Sequence, residues 1–78
     1  MSAEMTVVDV QGMKCPMPML RTKKALAKLN AGESVKVLAT DPHAAKDLSM
    51  FCDQTGNKML SSEEKDGVYT FVIERKPE

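Results

Sequence analysis

The alternation of apolar and polar residues divides the chain into six elements. Met5 to Val10 is short and rich in β-branched residues, the pattern of a strand. From Pro16 to Asn30 the period changes to that of a helix: Met19, Thr22, Leu26 and Leu29 fall at i, i+3, i+7 and i+10, with Ala25 beside them. Arg21, Lys24 and Lys28 fall on another face of the same helix. Pro16 suits the first helical position, which places Cys15 at the N-cap, and Pro18 is still inside the first turn. Gly32 marks the stop. Ser34 to Thr40 alternates again and predicts a second strand. Asp41 as N-cap and Pro42 as first helical residue then start a second helix, with a stripe of Ala44, Ala45, Leu48, Phe51, Cys52 and Thr55 and with Gly56 closing it.

Asn57 to Glu64 is a weaker strand, Lys65-Asp66-Gly67 a hairpin turn, and Val68 to Arg75 the last strand. Tyr69, Phe71 and Ile73 share one face of that strand, and Val68, Thr70 and Val72 the other. The predicted order is β-α-β-α-β-β. Its first three elements form a right-handed crossover between parallel strands, and its last two an antiparallel hairpin. The expected fold is therefore an α/β two-layer sandwich: a mixed four-stranded sheet with both helices on one face.

Length and composition narrow this picture without changing it. Seventy-eight residues, 42% of them apolar and 28% charged, suit one folded domain over 1–78 and exclude low-complexity and collagen-like chains. The 11 basic and 11 acidic residues cancel, but unevenly. Residues 10–32 hold five basic residues (Lys14, Arg21, Lys23, Lys24, Lys28) and no acid, leaving six basic against eleven acidic elsewhere. A basic local surface of this kind attracts anions or an acidic partner. No apolar run approaches the roughly 20 residues needed to span a bilayer, and Met1 to Glu4 lacks the pattern of a leader. A cytoplasmic location is the expectation, with Cys15 and Cys52 as thiols.

The candidate chemistry lies in Cys15-Pro16-Met17-Pro18. The reactive form of cysteine is the thiolate, and a helix N-terminus favours an anion through its unpaired N–H groups and partial positive charge. Lys14 adjoins the thiol and Arg21 follows in the second turn. Two prolines stiffen the loop. Redox chemistry, nucleophilic catalysis and sulfur carriage all remain open on these grounds. No second Cys lies three residues away, which excludes a CxxC dithiol. A lone His43 and a short chain leave little room for a Cys-His hydrolytic site.

Those residues carry a family resemblance. The strand Val7-Val8-Asp9-Val10, Gly12, Cys15-Pro16-x-Pro18, Gly32-Glu33, Thr40-Asp41-Pro42, Phe51-Cys52 and Asp66-Gly67 together resemble the TusA family of small sulfur carriers, with its SirA and YedF-like members. The resemblance covers nearly the whole chain. It implies the same two-layer sandwich, and a sulfane sulfur held as a persulfide on Cys15. The sulfur would come from a cysteine desulfurase or related donor and pass to an acceptor protein. The family's pathways include tRNA thiolation and molybdenum cofactor enzymes. Cys15 carries over as the catalytic residue, and Gly12, Pro16 and Pro18 as its frame. The tRNA-thiolation member has Glu where this chain has Met17, so here an apolar contact replaces a charge beside the thiol.

The other features are weighed against that reading. Cys52 lies on an apolar stripe and reads as a core residue. His43 reads as an exposed first-turn residue, and no metal or other cofactor is expected. Met13 and Met17 fall outside the helical stripe and are candidates for an exposed docking rim, with Lys14 between them. Arg21, Lys24 and Lys28 are candidates for docking donor and acceptor. Zero net charge and three aromatic residues (Phe51, Tyr69, Phe71) argue against direct nucleic-acid binding, and a monomer is expected. The competing reading is a regulatory adaptor, binding RNA or protein, in which Cys15 is structural or redox-sensing.

Overall fold

A computed structural model describes residues 6–14 and 16–76. The elements are β1 (Thr6–Val10), α1 (Met17–Ala27), β2 (Ser34–Ala39), α2 (Ala44–Thr55), β3 (Lys58–Lys65) and β4 (Val68–Glu74). The sheet order is β1-β2-β4-β3, with β1 parallel to β2 and the other pairs antiparallel. The expected β-α-β-α-β-β sandwich is therefore the observed one.

Strand period decides which side chains meet the helices. Val35, Val37 and Ala39 of β2 and Phe71 and Ile73 of β4 are fully buried, while the intervening Lys36 is exposed. Registry joins the two sets, Val35 opposite Ile73 and Val37 opposite Phe71. On β1, Val10 is buried and lies beside Ala39. Pro18, Thr22 and Leu26 of α1 and Ala44, Leu48, Phe51 and Cys52 of α2 close the layer from above. Each large side chain withdrawn from water in this way contributes about 1.5–3 kcal/mol.

The hairpin follows its Asp-Gly cue. Asp66 (φ 52°) and Gly67 (φ 83°) both adopt the left-handed conformation between paired Lys65 and Val68. Such a turn matches the twist of the strands it joins. Gly56 ends α2 in the same conformation, its N–H donating to Cys52 C=O at 2.9 Å.

Both helix starts differ from expectation. The cap of α1 is Pro16, with no side-chain cap bond, so the helix begins at Met17 and Cys15 precedes the cap. Cys15 itself lies outside the described residues. At its other end α1 stops at Ala27, short of the expected Asn30. There Lys28 and Leu29 donate to Ala25 and Leu26, three residues back, which tightens the last turn. The second helix begins two residues later than expected, with His43 rather than Asp41 at the cap. Asp41 and Pro42 form a separate turn, closed by Ala44 N–H donating to Asp41 C=O at 3.0 Å. Within it, Asp41 Oδ1 accepts the His43 N–H at 3.0 Å, a capping role performed one turn early.

Candidate functional site

The signature loop leaves β1 at Val10 and enters α1 at Pro16. Met13 N–H donates to Val10 C=O at 3.1 Å, a tight turn that needs the left-handed φ of +82° at Gly12. Gly12 N–H donates to Thr40 Oγ1 at 2.8 Å, tying the loop to the residue that follows β2. Beyond the loop, Met17 N–H donates to Lys14 C=O at 2.8 Å, and Leu20 N–H to Pro16 C=O at 3.1 Å. Pro16 and Met17 are exposed, whereas Pro18 is fully buried. Thr22 Oγ1 donates to Pro18 C=O at 2.8 Å inside the core. The first turn of α1 is thus pinned by a buried proline while its outer edge faces solvent.

Electrostatics at this end favour an anion. The first turn of α1 contains no acidic residue of its own to offset the partial positive charge of the helix N-terminus, and Asp47 of α2 borders the same depression as Pro16. Pro16 and Pro18 carry no N–H, which lowers the number of donors needing partners there. Lys14 is exposed beside it.

Gly12, Met13 and Lys14 line a cleft of about 510 Å³ together with Thr40, Asp41, Pro42 and His43. The parallel crossover explains this meeting. It brings the C-terminal ends of β1 and β2 to the same edge of the sheet, where α/β folds place their sites. His43 is exposed, and its Nδ1 lies 3.2 Å from the carboxylate of the largely buried Asp41. No local pattern in the sequence places Asp41 and His43 at the loop; the parallel pairing of β1 with β2 does.

The other predicted site residues separate. Arg21, Lys24 and Lys28 are exposed, but they run along α1 beside the outer edge of β1, not around the loop. Met13 is part-buried, packing against the core while also lining the cleft. Met17 is 40% exposed, and Leu20 and Met50 are also exposed. Pro16 and Met19 border a smaller depression with Asp47, Met50, Phe51 and Gln54. Cys52 is a buried free thiol. Burial first, and then the neighbouring Asp53 carboxylate, push its pKa up and keep it protonated.

Comparison with known proteins agrees with this geometry. The family described as sulfurtransferase TusA matches residues 6–75. A proposed sulfur carrier protein of Neisseria meningitidis serogroup A is 51% identical over 69 residues, 88% of this chain and 93% of that one. The sulfur carrier protein TusA of Allochromatium vinosum is 41% identical over 68 residues, 87% of this chain and 90% of that one. Among solved structures, a SirA-like protein of Desulfitobacterium hafniense superposes with a TM-score of 0.83 at 35% identity, covering 92% of this chain and 99% of that one.

Proposed function

Since the chain belongs to the TusA family, we propose that it is a cytoplasmic, monomeric sulfur carrier that holds sulfane sulfur as a persulfide on Cys15. The Cys15 thiolate attacks the outer sulfur of a donor persulfide, such as that of a cysteine desulfurase. The donor's S–S bond breaks, its cysteine leaves as a thiolate with the electron pair, and Cys15 becomes Cys–S–SH. An acceptor thiolate then attacks the outer sulfur in turn and releases the Cys15 thiolate. No net oxidation occurs in either step. The acceptor belongs to a sulfur-trafficking route such as tRNA thiolation or molybdenum cofactor maturation. Gly12, Lys14, Pro16 and Pro18 frame the thiol, Met17 forms an apolar contact beside it, and Arg21, Lys24 and Lys28 dock the protein partners.

The observation that supports this reading best is the frame around Cys15. The signature sits between a loop tied to Thr40 and a helix start with no acidic residue. Both thiolate and persulfide anions gain from that setting. Transfer between two proteins needs an exposed loop rather than a deep pocket.

Intact mass spectrometry under non-reducing conditions tests it. After incubation with a cysteine desulfurase, its pyridoxal cofactor and cysteine, the wild type gains the mass of one sulfur atom, and reductant reverses the gain. Cys15→Ser gains nothing. If neither this donor nor a small sulfane-sulfur donor adds sulfur to the wild type, the adaptor reading takes its place.

A further inference from the structure

We infer that the outer edge of β1 and the basic flank of α1 form one docking groove for an extended acidic segment of a partner protein, which binds by strand addition. Four consecutive residues, Thr6 to Asp9, line a groove of about 580 Å³, together with Arg21, Lys24 and Lys28. Consecutive strand residues can line one groove only where the strand's edge opens on it, because alternate side chains point to opposite faces. β1 is an end strand of the sheet and pairs only with β2 among the described residues. Its outward N–H and C=O groups therefore offer a template for another strand.

The helix above selects what that strand carries. The stretch from Arg21 to Lys28 covers about 10 Å at 1.5 Å per residue, and the four strand residues about 13 Å at 3.3 Å per residue. An added strand of four or five residues fits beneath all three cations. Its helix-facing positions would be acidic. Its other face would extend the open side of the sheet, where Val7 is 57% exposed. Asp9 on that side disfavours a further acid next to it.

Other occupants fit less well. A second copy pairing β1 to β1 would bring two sets of these cations together. The chain's own β3 edge carries Glu63 and Glu64, but a bulge at Met59/Ser61 breaks its register and Lys58 and Lys65 flank it. RNA would need stacking surfaces, and no aromatic side chain lines the groove. That the partner is a sulfur donor or acceptor rests on the function proposed above; the groove's chemistry does not.

The test uses the full chain and a fluorescein-labelled peptide, acetyl-Ser-Glu-Val-Glu-Val-Glu-Ser-amide. Fluorescence anisotropy measures affinity and amide NMR locates the contact. The expected result is binding that weakens with salt, with slowed amide exchange within Thr6–Asp9. The triple variant R21E/K24E/K28E, its amide spectrum otherwise intact, should bind at least ten-fold more weakly, and K24E alone should already weaken binding measurably. Two N-methylated peptides, blocked at either the Glu or the Val amides, should differ: one loses binding and the other keeps it, because only alternate N–H groups face β1. Four results overturn the proposal: no binding of the acidic peptide, equal binding of the two N-methylated peptides, tighter binding of an RNA heptamer, or self-association of the chain that blocks the peptide. Cys15→Ser should bind the peptide like wild type, so failure here is separate from failure to take up sulfur.

Discussion

Cys15 and Cys52 differ in setting rather than in chemistry. The first stands in the chain between the exposed Lys14 and Pro16, the cap of α1. The second is buried on α2, with its thiol pKa raised by burial and by Asp53. Cys52 should therefore resist alkylation by iodoacetamide in the native state and react on unfolding. Its pKa also has a sign for stability. The folded-state value lies above the unfolded one, so between them the native state holds a proton that the unfolded state has released. The associated stability is complete below the unfolded value, near 9.0, and is lost as pH rises through the folded value. Urea midpoints should thus fall more between pH 8 and pH 10 for wild type than for Cys52→Ala; equal falls would contradict the assignment. The burial of Cys52 was legible in its helical spacing. That of Met13 was not, because a loop has no period from which burial can be read.

At the scale of the element, α1 matters most, since it carries the signature at one end and the cations along its flank. Its C-terminal end is held from a distance in sequence. Arg75 Nη1 donates to the carbonyls of Leu26 (3.3 Å), Ala27 (3.5 Å) and Leu29 at the C-terminal end of the helix, where carbonyls run out of intrahelical donors and Leu26 also accepts from Leu29 N–H. The backbone of Arg75 also pairs with the loop before β2, accepting from Gly32 at 3.1 Å and donating to Glu33 at 2.8 Å. Arg75→Met keeps the length of the side chain and the backbone bonds but removes the cap. It should cost about 1–2 kcal/mol, the range for a part-exposed charged hydrogen bond. In a domain of this size that lowers Tm by about 4–8 °C per kcal/mol. An unchanged melting curve would show the cap to be inert. The existence of α1 and its buried face were legible from Thr22 and Leu26. Its cap was displaced by one residue, because the sequence rule for Pro at the first turn fits Pro16 and Pro18 about equally well.

The whole molecule is a thin sandwich whose core depends on few side chains. At about 0.05–0.15 kcal/mol per residue, its total stability is roughly 4–12 kcal/mol. Phe71 is fully buried at the centre of β4. Phe71→Ala should cost about 3–5 kcal/mol, about a quarter of the whole or more. The variant's urea midpoint should fall sharply, with a measurable unfolded population in buffer; a midpoint within error of wild type would mean that the core closes around the loss. The fold also segregates charge that the sequence only hinted at. The cations of α1 lie over the β1 edge, and Glu63 and Glu64 lie on β3 at the far edge of the sheet. A chain of zero net charge can thus present a basic edge to one partner without being basic as a whole.

The sequence by itself determined the order of elements, the two buried helical stripes, the Asp66-Gly67 turn and the identity of the signature. Each depends on neighbours within a few residues, where backbone sterics and hydrophobic period act directly. Tertiary structure alone decided what those pieces meet. Parallel pairing of β1 with β2 brought Thr40, Asp41 and His43 to the loop of Gly12, Met13 and Lys14. The crossover laid Arg21, Lys24 and Lys28 along a strand edge instead of around the loop of Gly12, Met13 and Lys14. Such meetings follow from how the layers pack, and the residues they join lie too far apart in the chain for any local pattern to encode them.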